Sequence, residues 1–191
     1  LDAILEGILP QLEGDKITFI GSSFMLSGCK DAYLDHCIAL NTCDDVENIE
    51  IESYKTEKEV LLAWTDLIQR ENPDIIIGYN IFGFDYKFMI ERADELYCKD
   101  DFLRLSRNRG EKCQVKHTTI KIASGVHDLK YIDMNGRVPI DLYNYFRREY
   151  NLSSYKLDDV ASHFIGDFVK KFEYQEGRTI IHSPNIRGLR K

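Results

Sequence analysis

The residues best suited to chemistry lie in one short stretch, Gly78–Met89 (GYNIFGFDYKFM). An apolar run, Asp74–Tyr79, leads into it, and Asn80, Phe84 and Asp85 follow where helical spacing begins. A carboxylate at the carboxyl edge of a buried strand stands where α/β folds place their ligands. Taken alone, Asp85 has a simpler explanation, because the helix dipole stabilises an acidic residue at a helix start.

Charge is divided unevenly along the chain. Residues 1–97 carry seven Lys and Arg against 20 Asp and Glu, whereas residues 98–191 carry 18 against 12. An acidic half beside a basic half suits a site that holds cations and also meets a polyanion. Solvated surface of mixed sign explains the same pattern, so the asymmetry by itself assigns no function.

The elements before the chemical stretch can be predicted from hydrophobic spacing. Three strand-like stretches, Lys16–Phe24, Tyr33–Leu40 and Ile49–Tyr54, come first. The sequence Thr56-Glu57-Lys58-Glu59 then has the form of a capping box. The apolar side chains that follow it recur at helical spacing and predict a helix that ends at Asn72-Pro73. The run Asp74–Tyr79, which is apolar after its first residue, is typical of a strand covered on both faces.

The rest of the chain is predicted to hold further helices and one strand. Residues 100–133 are polar and basic, and we expect hairpins or a loop-rich insertion there. Residues 167–191 show no periodicity and are predicted to be an irregular tail. The regular elements are predicted as helices over Leu1–Leu9, Phe84–Leu96, Leu142–Tyr150 and Leu157–Phe164 and a strand over Arg137–Leu142.

Composition and element order together bound the fold class. The chain has 191 residues, 43% of them hydrophobic, which is enough for one core of ordinary size. Strands first, then alternating helices and strands, predict an α/β fold with an antiparallel half and a parallel half. No apolar run is long enough to cross a membrane, and we expect an intracellular protein without a membrane partner. The five cysteines have no CxxC spacing and are predicted to be reduced.

Three separated blocks carry a resemblance to a known family. They are DKITFIGSSF, NPDIIIGYNIFGFDYKFMIERA and GRVPIDLYNYFRREYNLSSYKLDDVASHFIGD, and the second contains Asn80-x-x-x-Phe84-Asp85. In order and context these blocks resemble the 3′–5′ exonuclease domain of family B DNA polymerases. The last block is most similar to delta-type enzymes of eukaryotes and large DNA viruses. The resemblance covers residues 10–167, and three blocks in register are more specific than one short motif.

The resemblance implies a fold, a reaction and roles for four residues. The fold is a ribonuclease-H-like mixed sheet with flanking helices. The reaction is proofreading removal of the last primer nucleotide by a mechanism that uses two Mg²⁺ or Mn²⁺ ions. Asp85 corresponds to a catalytic carboxylate that binds metal, and Asn80 and Phe84 hold the terminal nucleotide. Phe82, which we expect to be exposed in the same loop, is a further candidate for DNA contact.

The family pattern also requires acids that this sequence does not show in context. The family places an Asp-x-Glu on its first strand and a Tyr-x-x-x-Asp downstream. Asp45-Val46-Glu47 matches the first only as letters in a polar turn, and Tyr155–Asp159 matches the second only as letters before a predicted helix. We therefore expect the genuine motifs before Leu1 and after Lys191. Residues 1–191 are then an incomplete exonuclease domain that lacks its first, central strand.

The resemblance implies partners and leaves alternatives open. The intact protein is expected to be a replicative DNA-directed DNA polymerase, acting in the nucleus or in a viral replication compartment. Its expected partners are the single-stranded 3′ primer end, the remainder of the polymerase chain and a sliding clamp bound through other regions. One alternative is a catalytically inactive nuclease-like module that holds DNA or serves structure. A second is an unrelated α/β binding domain with an accidental motif match.

Other polar residues have two readings each. Asp141 lies on a strand next to the same sheet edge and could support the site, or it could cap the helix predicted over Leu142–Tyr150. His163 could serve as a general base, but a mechanism with two metal ions needs none, and we expect a structural helix residue. Five basic residues could contact a phosphate backbone or could simply be solvated, namely Arg104, Arg107, Arg109, Lys112 and Lys116.

Overall fold

A computed structural model describes residues 14–122 and 125–165, and in that part of the chain there are seven strands and five helices. The predicted opening helix Leu1–Leu9 and the predicted tail 167–191 lie outside the described residues. The strands are β1 (Phe19–Phe24), β2 (Leu34–Leu40), β3 (Glu50–Tyr54), β4 (Ile75–Gly78), β5 (Gln114–Ile122), β6 (Gly125–Asp133) and β7 (Val138–Asp141). The helices are α1 (Glu57–Glu71), α2 (Asp85–Glu95), α3 (Lys99–Phe102), α4 (Leu142–Glu149) and α5 (Leu157–Ile165).

The described strands form three small sheets, and with the helices they make a mixed α/β structure, so the predicted α/β class is confirmed. In the first sheet β1 runs antiparallel to β2, but β3 runs parallel to β2, with His36 opposite Glu50. The prediction of an antiparallel half is therefore wrong for β3. The nine-residue connection 41–49 is long enough to return along the sheet, at about 3.3 Å per residue. Asn41 and Asn48, both at positive φ, turn the chain near its two ends.

Helix α1 begins as the sequence predicts. The Thr56 side chain accepts from the Glu59 backbone N–H, and the Glu59 carboxylate accepts from the Thr56 N–H at 2.9 Å, which completes the capping box. The helix ends at Glu71, where Asn72 adopts a left-handed conformation with φ of 48°. Its apolar face, including Val60 and Leu61, is fully buried in the core.

A buried ion pair links the first turn of α1 to α2. The Arg92 guanidinium donates to both carboxylate oxygens of Glu57, at 2.7 and 2.6 Å, and Glu57 also accepts from the Ile17 N–H at 2.9 Å. Both side chains are less than a tenth exposed. The hydrogen bonds to Glu57 raise the pKa of Arg92, while its burial opposes that rise. This pair holds the helix that starts at Asp85 against the helix that precedes β4.

The strands β4 and β7 form a separate parallel pair. Ile75 lies opposite Val138, and Gly78 lies opposite Asp141. Ile76 packs against the core, but Ile75 and Ile77 are 50% and 58% exposed. The prediction of a strand covered on both faces is therefore wrong in the described structure. Alternate side chains of a strand point to opposite faces, and only the face that carries Ile76 meets the core.

The segment 100–133 is more ordered than a loop-rich insertion. It holds α3 and the long antiparallel hairpin of β5 and β6, in which Gln114 lies opposite Asp133. Phe102, Leu105 and Ile132 are fully buried in the core. The hairpin that was one of the two expectations is thus confirmed, and part of this segment belongs to the core.

Helices α4 and α5 belong to a second compact unit, which begins at Leu142. Within it, the Phe164 ring packs on Phe146 and Tyr150, at centroid distances of 5.0 and 4.8 Å. The Tyr155 hydroxyl donates to the Tyr150 carbonyl at 2.7 Å and accepts from the Leu152 N–H. Tyr155 therefore has a structural role in this unit.

All five cysteines are free thiols. None of the helices in residues 14–122 and 125–165 is both long and apolar enough to cross a bilayer.

Candidate active site

The predicted chemical stretch forms a tight loop between a strand and a helix. The loop follows β4 at Gly78 and delivers the chain to Asp85, the first residue of α2. Asn80 has a φ of 59°, in the left-handed region, which asparagine tolerates better than most residues. Its carbonyl accepts from the backbone N–H groups of Gly83 and Phe84, at 3.1 and 3.0 Å. The predicted order of strand, loop and helix is therefore confirmed.

The Asn80 side chain lies against Gly83. A Cβ atom added at Gly83 would lie only 2.3 Å from the Asn80 Oδ1 atom. Position 83 must therefore be glycine for the Asn80 amide to keep this place. Asn80 itself is half-buried, so part of its surface remains accessible.

The Asp141 carboxylate holds this loop from the neighbouring strand. Its Oδ1 atom accepts from the Asn80 N–H at 2.8 Å, and its Oδ2 atom accepts from the Phe82 N–H at 3.1 Å. Asp141 is the last residue of β7 and is only 4% exposed. The expectation that Asp141 lies at the same sheet edge as the loop is confirmed by its pairing with Gly78.

Phe82 is half-buried, so the prediction of an exposed ring is wrong. Its ring packs on Tyr131 and Tyr86, at centroid distances of 5.2 and 6.0 Å. Its carbonyl accepts from the Lys130 N–H of strand β6 at 2.9 Å. Because both backbone groups and the ring of Phe82 are engaged, this residue ties the loop to β7 and to the hairpin.

Phe84 closes the loop beside the start of α2. Its ring stacks on Phe88 one turn further along, with a centroid distance of 5.8 Å and an interplanar angle of 17°. Phe84 is half-buried and packs against the core. One face of the ring is thus supported by the helix, while part of its surface remains accessible to a ligand.

Asp85 is an exposed residue at the N-terminus of α2. The loop and helix crowd its carboxyl group, and this desolvation raises the pKa of Asp85. A hydrogen bond from its own backbone N–H opposes the rise, and the negative charge of Asp141 adds to it. A carboxylate that is crowded, reachable and close to a second negative charge is suited to bind a cation.

Tyr86 lies behind Asp85 in the core. It is 3% exposed, and its hydroxyl is buried without a hydrogen-bond partner among the described residues. Burial raises the pKa of Tyr86 strongly, and the carboxylates of Asp85 and Asp141 add to this. The phenol therefore stays neutral at physiological pH.

The described residues around Asp85 do not by themselves fit a two-ion site. Two divalent ions need several carboxylates, and Asp85 supplies one. Each oxygen of Asp141 already accepts from a backbone N–H. In the described ranges, three potential ligand side chains converge only at His36, Glu50 and Glu52, on the separate sheet of β2 and β3.

The His36 cluster is explained by pairing inside the protein. The His36 Nε2 atom lies 3.2 Å from Glu52, which also accepts from Tyr54 and Arg70. Partial burial opposes ionisation of Glu52, but the hydrogen bonds from Tyr54, His36 and Arg70 outweigh it and lower its pKa. A carboxylate that already has cationic and hydroxyl partners is a poor candidate for a metal ligand.

Most of the five predicted basic residues face acidic partners. Arg107 is the most fixed of them, since it binds Asn72 and Asp74. Arg104, Lys112 and Lys116 form ion pairs at the surface. Arg109 is exposed. The ion pairs are Arg104 with Asp101, Arg107 with Asp74, Lys112 with Asp100 and Lys116 with Asp133, at 3.1, 2.7, 2.8 and 3.4 Å.

The chain matches one protein family over most of its length. The family described as "DNA polymerase family B, exonuclease domain" matches residues 3–160. That match includes the whole loop, Asp85, Asp141 and the hairpin. The chain therefore belongs to the exonuclease domain of the family B DNA polymerases.

Individual relatives are viral and eukaryotic. The chain is 40% identical to a DNA polymerase of Phaeocystis pouchetii virus and 41% identical to one of Pyramimonas orientalis virus, each over 99% of this chain. It is 37% identical over 85% of its length to a DNA polymerase delta catalytic subunit of Glycine max. It spans 20%, 15% and 15% of these relatives, respectively. The predicted resemblance to this family is confirmed.

Sequence reasoning missed two long-range contacts that hold the site. The hydrogen bonds that Asp141 accepts from the loop join residues 61 and 59 positions apart, and the bond from the Lys130 N–H to the Phe82 carbonyl joins the loop to β6. The only available signal was the expected placement of Asp141 at the same sheet edge. That placement indicated proximity but did not show which loop atoms Asp141 would bind.

Proposed function

We propose that this chain is the proofreading 3′–5′ exonuclease domain of a longer replicative DNA polymerase, with single-stranded 3′ primer ends as its substrate. The observation that carries the proposal is Asp85, reachable at the start of α2, directly after the loop that holds Asn80 and Phe84. Membership in the family supports it. The half-buried amide of Asn80 and ring of Phe84 would contact the terminal nucleotide, with Phe82 shaping the loop beneath it.

The metal ions belong to the same proposal. Asp85 would contribute one carboxylate to a site for two Mg²⁺ or Mn²⁺ ions, and other acids of the polymerase would complete it. Bound ions would activate the attacking water and stabilise the leaving oxygen. The role proposed for the described residues of this chain is to supply one carboxylate and to position the primer end. A fold of the ribonuclease-H type is proposed for the completed domain.

The relatives support a proposal for the compartment and the partners. Viral DNA polymerases and a plant delta catalytic subunit are among them, so we propose that the protein works on DNA inside the cell, in the nucleus or in a viral replication compartment. Its partners would be DNA and the remainder of the polymerase. Neither the described residues nor the names of the relatives support a sliding clamp as a partner.

The test is a substitution at Asp85 in the longer polymerase that contains this chain. Asp85→Ala should lower Mg²⁺-dependent removal of 3′ nucleotides from single-stranded DNA by several orders of magnitude, because the metal site loses a ligand. Extension of a matched primer should continue. Asp94→Ala is the matched control, since Asp94 is an exposed acid on the same helix and its carboxylate forms a surface ion pair with Lys99.

The second candidate function is a catalytically inactive module that holds DNA. It is favoured by one observation, that the described residues near the loop supply a single reachable acid. In that case the wild-type polymerase would show no 3′ nucleotide removal, and Asp85→Ala would change nothing. Degradation that persists unchanged in Asp85→Ala would also remove the assignment of Asp85.

A further inference from the structure

We propose that Asp141 is a positioning residue, which shapes the loop between β4 and α2 by binding its backbone and so places Asn80 and Asp85. The inference rests on the proposed function, since it assigns a role in the same site. Asp141 itself would touch neither DNA nor metal. Its carboxylate would act through the loop.

The geometry around Asp141 shows a carboxylate used as an internal anchor. It is nine-tenths buried at the end of β7, and its two oxygens accept from two different loop amides, at 2.8 and 3.1 Å. A buried carboxylate without such donors would be strongly unfavourable. The amides of Asn80 and Phe82 therefore stabilise Asp141 as much as Asp141 orders them.

The loop has a backbone shape that suits an anion. Asn80, at a left-handed backbone angle, turns the chain, and the N–H groups of residues 80 and 82 both donate to one carboxylate, each to a different oxygen. Concave arrangements of backbone N–H groups of this kind bind anions in many proteins. Here a side chain from the neighbouring strand fills that place. The strand pairing of Gly78 with Asp141 brings it there.

A continuous set of hydrogen bonds leads from Asp141 to the start of α2. Asp141 holds the Asn80 N–H, and the Asn80 carbonyl accepts from Gly83 and Phe84. The next carbonyl, of Ile81, accepts from the Tyr86 N–H in the first turn of the helix, at 2.9 Å. A shift of the loop at Asn80 would therefore move Tyr86, and with it the preceding residue, Asp85.

Asp141 could also act through its charge alone, because that charge lies close to Asp85. Two substitutions separate the explanations. Asp141→Asn removes the charge but keeps one accepting oxygen, whereas Asp141→Ala removes both acceptors. A role in positioning predicts a graded loss, and a role of charge alone predicts equal effects of the two variants.

The experiment uses the longer polymerase and measures removal of 3′ nucleotides from single-stranded DNA. We expect kcat to fall about tenfold in Asp141→Asn and about 100-fold in Asp141→Ala, since small misplacements of catalytic groups have effects of this size. Primer extension should be unchanged. Asp74→Asn is the matched control, because Asp74 flanks the same two strands at their opposite end and is 84% exposed.

A second measurement reports on the loop itself. In Asp141→Asn, amide hydrogen exchange at Asn80 and Phe82 should accelerate by about tenfold, because one hydrogen bond is lost. Exchange in the hairpin of β5 and β6 should stay as in the wild type. A general loss of structure would instead accelerate exchange in both places. If Asp141→Ala does not fold, Asp141→Asn and its exchange pattern still decide the question.

Wild-type kcat in both variants, or equal kcat losses with unaltered exchange at Asn80 and Phe82, would overturn the inference. Failure of the proposed function looks different. There, the wild-type polymerase would lack the exonuclease or would be indifferent to Asp85→Ala. The exchange measurement would then still show whether Asp141 orders the loop.

Discussion

At the scale of single residues, the site depends on how the loop packs against itself. Asn80 supplies the left-handed turn, and Gly83 leaves the space that the Asn80 amide occupies. The motif of Asn80, Phe84 and Asp85 therefore depends on a fourth residue, Gly83, which has no side chain and so leaves room for the Asn80 amide. The requirement for glycine comes from the absent Cβ and not from its backbone angle, because the φ of Gly83 is not positive.

A substitution at Gly83 tests this packing. Gly83→Ala should push the Asn80 amide aside, because the new Cβ would lie 2.3 Å from Oδ1. The side chain can rotate away, so we expect little change in stability but a KM for single-stranded DNA raised by roughly tenfold in the longer polymerase. Gly21→Ala is the control, since a Cβ there meets nothing within 4 Å. An unchanged KM would show that Asn80 does not bind the nucleotide.

At the scale of elements, helix α2 is held in place by a pair that sequence patterns do not reveal. The ion pair of Glu57 and Arg92 is buried and bidentate, and it joins the first turn of α1 to the last turn of α2 across 35 residues of sequence. Buried pairs of this kind contribute little net stability, but the loss of one partner is costly. Their effect here is to specify where α2 lies.

The pair can be tested by removing one partner or both. Arg92→Met should destabilise the domain by about 3–5 kcal/mol, because Glu57 is left charged and buried. Hydrogen exchange of the α1 and α2 amides in the longer polymerase would measure this loss. The double variant Glu57→Met with Arg92→Met should lose less than Arg92→Met alone. If it loses more, the stranded charge is not the cause of the destabilisation.

At the scale of the whole molecule, the sheet of β4 and β7 presents an apolar face. Ile75, Ile77 and Val138 are each at least half exposed on it. Parallel sheets are normally covered on both faces, and two strands alone form a weak sheet. We therefore expect this sheet to be more stable inside the longer polymerase than in the 191-residue chain by itself.

Hydrogen exchange can compare the two contexts. The amides of Ile75–Gly78 should exchange more slowly in the polymerase than in the isolated chain, since additional polypeptide would cover the sheet. The amides of helix α1, whose apolar face is already buried, are the internal reference. Equal exchange of Ile75–Gly78 in both contexts, with one cooperative unfolding transition of the isolated chain, would contradict this expectation.

The features that could be predicted from the sequence are mostly those set by interactions between residues close together in the chain. The capping box at Thr56, the helix start at Asp85 and the turn at Asn80 are set by residues within a few positions, and the structure has all three. Family membership could also be predicted, because three blocks keep their order along the chain. Local propensity and pattern are carried by the sequence directly, so these features needed no three-dimensional information.

Tertiary structure alone decided how the distant parts meet. The direction of β3, the exposed face of β4 and the packing of Phe82 depend on which surfaces come together. The contact of Asp141 with the loop spans 61 residues and requires the parallel register of β4 and β7. No local pattern specifies such a register, because many pairings satisfy the same alternation of side chains. The sequence by itself therefore determined the succession of strand, loop and helix around the site. The long-range contacts that hold the loop in place were decided only by the tertiary structure.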